Sequence, residues 1–169
     1  NDTIFLITLN ESANDTTIST QALVASMPYG VPPNGKQADT DTTDATKGLQ
    51  TNDARVLGAI QKDDWIQFVS TTAHGANNNA GIYHGFIDGA SSSSPKVSTR
   101  VLSHPVRDYG YPNIAWSGVH PKQIQCLIIA ERAVAISQVM SAIKFYLKLS
   151  IIVSCAESQQ IRKRLMLII

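Results

Sequence analysis

Apolar and polar positions alternate most regularly between Asp53 and His104. From Trp65 to Thr72 the pattern sets Trp65, Gln67 and Val69 on one side, with Ile66, Phe68 and Ser70 on the other. A period of two carried by aromatic and β-branched side chains predicts a strand. Gly81 to Asp88 alternates in the same way, opposing Ile82, His84 and Phe86 to Tyr83, Gly85 and Ile87. Ala54 to Gln61 is a mixed apolar run with Val56, Leu57 and Ile60, and Val97 to Ser103 alternates again through Val97, Thr99 and Val101. Between them lie the charged turn Lys62-Asp63-Asp64, a Gly- and Asn-rich loop from His74 to Asn79, and the serine-rich run Gly89 to Pro95. The last is too poor in apolar groups to pack and reads as surface loop. The stretch therefore predicts four short strands joined by polar turns.

The flanks are less regular. Thr3 to Leu9 reads as a strand, Asn10 to Thr20 as a polar turn or loop, and Gln21 to Met27 as either a strand or a short helix. Tandem proline and repeated glycine forbid regular structure in Pro28 to Gln50, and long ordered loops in compact domains often carry function. Tyr109-Gly110-Tyr111-Pro112 opens a second unit, with Pro112 pre-setting a strand start. Asn113 to Gly118 and Gln123 to Ala130 are its first two strands.

The pattern recurs at an offset of 58, which matches Val56-Leu57 to Ile114-Ala115 and Ile66-Gln67-Phe68-Val69 to Ile124-Gln125-Cys126-Leu127. Four-stranded units at a fixed period are the sequence signature of a β-propeller, in which each blade buries its faces against its neighbours. The expected fold is mainly β: antiparallel four-stranded units of a partial β-propeller, about two blades over residues 1–127. A β-sandwich with compositionally similar strands is the competing architecture. Two open blades leave faces and edges exposed, so the region by itself is expected to be marginally stable. Asn1-Asp2 leads straight into a strand, as though the chain begins inside a fold, and a missing signal segment then says nothing about export.

Composition changes abruptly at Leu127. All 10 Gly and 7 Pro precede it, and Asp, Asn, Thr, Trp and His disappear after it. The tail carries a net charge of +4 and the body −3, from 6 basic and 2 acidic residues against 8 and 11. Ile136, Val139, Met140, Ile143, Leu147 and Ile151 recur at helical spacing, which predicts an amphipathic helix. Ser158 to Ile169 reads as a second, basic helix. Lys144 and Lys148 interrupt the apolar run, against a transmembrane span. Residues 128–169 thus form an expected helical tail with three readings: a packing helix, a helix lying on a membrane surface, or a segment read in a shifted frame. The overall net charge of +1 argues against a nucleic-acid surface, which needs a clustered basic face.

Four phrases carry a family resemblance: Leu49 to Val56 (L-x-T-N-D-A-R-V), D-W-I-Q-F-V from Asp64, A-G-I-Y-H-G-F-I from Ala80, and G-Y-P-N-I-A-W-S-G from Gly110. Together they resemble the propeller-type repeats of large secreted Bacteroidetes proteins, which often end in a sorting domain for type IX secretion. The resemblance covers residues 1–127 and implies an exported, outer-surface protein. It brings no catalytic residues with it.

Candidate chemistry is sparse. His74, His84, His104 and His120 show no metal-ligand spacing. His84 sits on a strand face and reads as a hydrogen-bonded structural histidine, with Tyr83 beside it as a candidate sugar-stacking aromatic. Asp39, Asp41 and Asp44 form a carboxylate cluster of the kind that binds Ca²⁺, but lack the Gly and distal Glu of an EF-hand, so a solvated acidic loop is favoured. Asp63-Asp64 reads as a turn pair. The chain has no sialidase-type Asp box, nucleophile elbow, phosphate loop or Cys-x-x-Cys. Cys126 and Cys155 straddle the composition change and would pair only if the tail is in frame and the protein exported. No catalytic, cofactor or metal residue is therefore assigned, and no cofactor is expected. The expected role is a binding or scaffold module for carbohydrate or protein, without nucleic-acid contact. The alternative is part of a propeller glycan hydrolase whose active site other blades complete.

Overall fold

The computed structural model describes residues 1–12, 15–36, 48–76, 78–105, 107–116, 123–133, 148–156 and 165–168. Within them the chain is mainly β, its sheets are antiparallel, and no helix occurs among the described residues. The central element is the sheet β3(Val56–Lys62), β4(Trp65–His74), β5(Asn79–Asp88) and β6(Lys96–Leu102), four strands in sequential order. Its connections are those the polar turns mark out. Lys62 pairs with Trp65 across the two-residue turn Asp63-Asp64, and Asp63 takes the left-handed φ of 52° that such a turn requires and that Asp tolerates. The Asp64 carboxylate then accepts a bond from the Ser91 N–H at 2.6 Å, tying the β5–β6 loop to this turn.

Every residue of β4 from Trp65 to Thr72 is buried, polar ones included. A strand is buried on both faces only when something packs on each side of its sheet. Here β1(Thr3–Glu11) and β2(Thr16–Val24) cover one face, and β7(Asp108–Trp116) crosses the other. Ile4, Leu6 and Leu23 meet Ile66, Phe68, Tyr83 and Ile87 on the first side. Tyr109 and Ile114 meet Trp65, Val69 and Ile82 on the second. The faces are those the alternation predicts. Burying so many large apolar side chains, at roughly 1.5–3 kcal/mol each before the cost of ordering them, makes these two interfaces the main source of stability.

Gly85 shows how tightly the first interface is filled. It pairs with Phe68, and a Cβ at this position would stand 2.0 Å from the Phe68 Cζ atom. The ring lies in the space that the missing side chain leaves. After β2 the chain crosses this interface as well. The Tyr83 hydroxyl donates to the Met27 carbonyl at 2.6 Å, and the Tyr29 ring meets Tyr83 edge-on at 5.5 Å.

The remaining strands are β8(Gln123–Ala133), β9(Lys148–Ala156) and β10(Leu165–Ile168). They form the sheets β7-β8-β9 and β10-β1-β2. Several expectations change here. β8 runs through the composition change at Leu127 without a break. The helix expected from Ile136 to Ile151 falls mostly outside the described residues, while Ile151 itself lies in β9. Leu149, Ile151, Val153 and Cys155 also alternate, and β-branched residues suit a strand. Leu165–Ile168, expected in a basic helix, pairs with Leu6 to Leu9 of β1 instead. Asn10, Glu11 and Thr16 to Thr20 pair in the β1–β2 ladder and are strand and not loop; Thr16 to Thr20 are exposed on both faces, so the sequence shows no apolar alternation there. β7 begins at Asp108 and passes through Pro112, where the register shifts between Gly110 and Asn113. Such an irregularity on an edge strand accommodates proline's missing N–H.

Candidate functional site

Among the described residues, one polar constellation ties three neighbouring strands of the central sheet together. Gln67 on β4, His84 on β5 and Arg100 on β6 share the face turned toward β7. The Arg100 Nε–H donates to His84 Nδ1 at 3.0 Å. Arginine cannot accept a proton here, so Nδ1 is the acceptor and the ring proton sits on Nε2, which donates to Gln67 Oε1 at 2.8 Å. Burial first, and the Arg100 guanidinium second, push the His84 pKa down from 6.5 to about 4. A neutral imidazole held between an amide and a cation has no carboxylate to orient it as a general base. The arrangement locks three strands together. It also leaves Gln67 Nε2, Arg100 Nη2 and Thr71 Oγ1 buried without partners, a price in stability that the surrounding packing offsets.

A second constellation closes one end of the stack. Asp108 is buried, and its carboxylate accepts from the Ala80 N–H and the Lys36 N–H, both at 2.8 Å. Lys36 Nζ reaches Asn79 Oδ1 at 3.0 Å, and Asn79 donates to the carbonyls of His104 and Pro105. One carboxylate thus pins the start of β7 to the start of β5 and to the long connection after β2. Removing it by Asp108→Ala leaves two N–H donors unpaired and is expected to cost about 2–4 kcal/mol, read as a lower urea midpoint with an unchanged slope.

Outward-facing aromatics are the remaining feature. Trp116, at the end of β7, is 42 % exposed, and Lys62 Nζ lies 4.1 Å from its ring centroid. Tyr111 is 40 % exposed and holds a left-handed φ of 49° beside Pro112, a strained conformation for an aromatic residue. Exposed rings of this kind can stack on the apolar face of a sugar or on a partner's side chain.

Comparison with protein-family models, curated proteins and solved structures finds no match.

The sequence-singled residues fall as follows. His84 is buried and hydrogen-bonded on a strand face, as expected. Tyr83, a candidate for sugar stacking, is instead buried in the core. Its place in the alternation opposite His84 puts it against β1 and β2. Asp64 anchors a loop, and His74 ends β4. His104 bridges to Arg107. Asp39, Asp41, Asp44 and His120 lie outside the described residues. Cys126 pairs with Val153 and Cys155 with Ile124, so the register sets the two cysteines diagonally and not directly opposite. Among the described residues no group of three or more His, Cys, Asp or Glu is placed to hold a metal, and no helix is long and apolar enough to cross a membrane. Sequence reasoning missed Trp116 and Tyr111 as surface groups, because an aromatic on an alternating strand reads as core.

Proposed function

We propose that this chain is a non-catalytic part of a secreted or cell-surface β-propeller and serves as a binding or scaffold module for carbohydrate or protein. The observation that carries the reading is the four-stranded β3–β6 sheet covered on both faces by other antiparallel sheets. A propeller blade is built this way. The spacing of strands supports it, since β8 begins at position 123 and β4 at position 65, the same offset of 58 as the sequence repeat. The interior polar groups that are paired, His84 with Arg100 and Asp108 with two backbone N–H groups, are engaged in holding strands together. The exposed rings Trp116 and Tyr111 are the contact groups this reading favours.

The test is retention of the full chain on immobilised polysaccharides and on outer-surface protein extracts. Binding that Trp116→Ala or Tyr111→Ala weakens about tenfold, with the fold intact, is the expected result. Release of reducing sugar from any glycan would instead favour the hydrolase alternative. Failure to bind any of these ligands would count against the module reading.

A further inference from the structure

Lys36 and Asn79 stand 43 positions apart in the chain, and their side chains meet. The Lys36 Nζ donates to Asn79 Oδ1 at 3.0 Å. This contact brings a primary amine, a nucleophile in its free-base form, onto a side-chain carboxamide. Both partners are held at the backbone. The Asp108 carboxylate accepts from the Lys36 N–H and from the N–H of Ala80, the residue after Asn79, each at 2.8 Å. Gly35, the residue before Lys36, exchanges two backbone hydrogen bonds with Leu49, at 2.7 and 3.0 Å. The carboxamide is fixed as well. Asn79 is 5 % exposed, and its Nδ2 donates to the carbonyls of His104 and Pro105 at 3.1 and 2.9 Å. Two reacting groups held this close meet at an effective concentration far above that of any free amine in solution. The hydrogen bond to Oδ1 also draws electrons toward that oxygen, which opens Cγ to attack.

We propose that Lys36 and Asn79 form an intramolecular isopeptide bond, a covalent staple between the connection after β2 and the start of β5. The Nζ lone pair adds to Cγ of Asn79, and the carbonyl π pair moves onto Oδ1. The tetrahedral centre then collapses: the C=O bond re-forms, the Cγ–Nδ2 bond breaks, and Nδ2 departs. The Lys36 ammonium gives up two protons in all, and both end on the departing nitrogen, which leaves as ammonium. Solvent at the exposed Lys36 side chain carries them across. Atoms, electrons and charge therefore balance without a second reactant. The staple joins covalently the two segments that Asp108 already ties by hydrogen bonds. The inference rests on this contact and is independent of the binding reading.

The intact mass of the purified full chain, measured by electrospray after denaturation, tests it. The expected value lies about 17 Da below the mass of the sequence, the weight of one ammonia. A tryptic digest should hold the Lys36 and Asn79 peptides joined, with no cleavage after Lys36. Lys36→Arg, at an exposed position, should restore the full sequence mass with unchanged circular dichroism. A parent chain that keeps its full sequence mass after days at neutral pH would overturn the proposal. So would a loss of about 17 Da that survives Lys36→Arg, since ring closure at Asn34-Gly35 also expels ammonia. A digest that recovers the Lys36 and Asn79 peptides separately would do the same.

Discussion

Gly85→Ala is expected to destabilise the protein by about 3 kcal/mol, the upper part of the usual overpacking range. The added Cβ would meet three atoms of the Phe68 ring at 2.0, 2.2 and 2.7 Å. The ring cannot simply turn away. Phe68 is almost fully buried, with Tyr83 tilted against it at a centroid distance of 6.4 Å and Ile4, Leu6 and Ile66 in the same cluster. Relief must come from separating the β1–β2 ribbon from the central sheet. Equilibrium unfolding measures the loss. A second substitution distinguishes this cause from a change in backbone preference, because alanine favours strands no less than glycine does. Phe68→Leu alone should be destabilising, yet in the Gly85→Ala background it should cost much less, a coupling of about 1–2 kcal/mol. Strict additivity of the two would show that the ring and the glycine do not share the space.

Stability should also fall steeply in mild acid because of His84. Its folded pKa is lowered to about 4 from the ordinary 6.5, so in the unfolded chain the ring takes up a proton at a higher pH than in the folded one. The contribution is fully present above pH 6.5 and is lost as pH falls toward 4. The size follows from the shift: about 3 kcal/mol in all, with most of it gone by pH 4.5. Protonation would also place a second cation against Arg100 and remove the acceptor that the Arg100 Nε–H uses. Denaturant titrations between pH 7.5 and 4.5 read this directly. His84→Gln should be less stable at neutral pH and should lose most of the slope in that window. An unchanged slope in the variant would assign the acid sensitivity to other groups.

How far the sequence foretells this structure depends on whether a residue's role is local. The strands β4, β5 and β6 were legible because aromatic or β-branched residues alternate through them, β3 because Val56, Leu57 and Ile60 make an apolar run, and the turns because they contain Asp, Asn, Gly or Ser. The two faces were legible for the same reason, down to His84 opposing Tyr83. β2 was obscured because Thr16 to Thr20 are exposed on both sides, and the entry to β7 because Pro112 marks a strand start in most contexts and an irregularity in this one. The polar contacts were beyond reach for a different cause. Arg100 meets His84 only through the β5–β6 register, and Asp108 reaches Lys36 across 72 positions. Neither spacing repeats any pattern a single chain displays. In the tail, Ile151 falls in the expected helical row and also in the alternation of Leu149, Ile151, Val153 and Cys155, and β9 pairs with β8.

The four-stranded sheet sits between two covering layers, so that β4 and β5 have neighbours on every side. Native-state hydrogen exchange resolved by peptide mass spectrometry tests it most directly. Exchange is expected to be slowest in Trp65–His74 and Asn79–Asp88, approaching the rate of global unfolding, and faster in the edge strands Thr16–Val24 and Lys96–Leu102. Exchange in Trp65–His74 as fast as in Thr16–Val24 would contradict the two-sided burial on which the fold and the proposed module both rest.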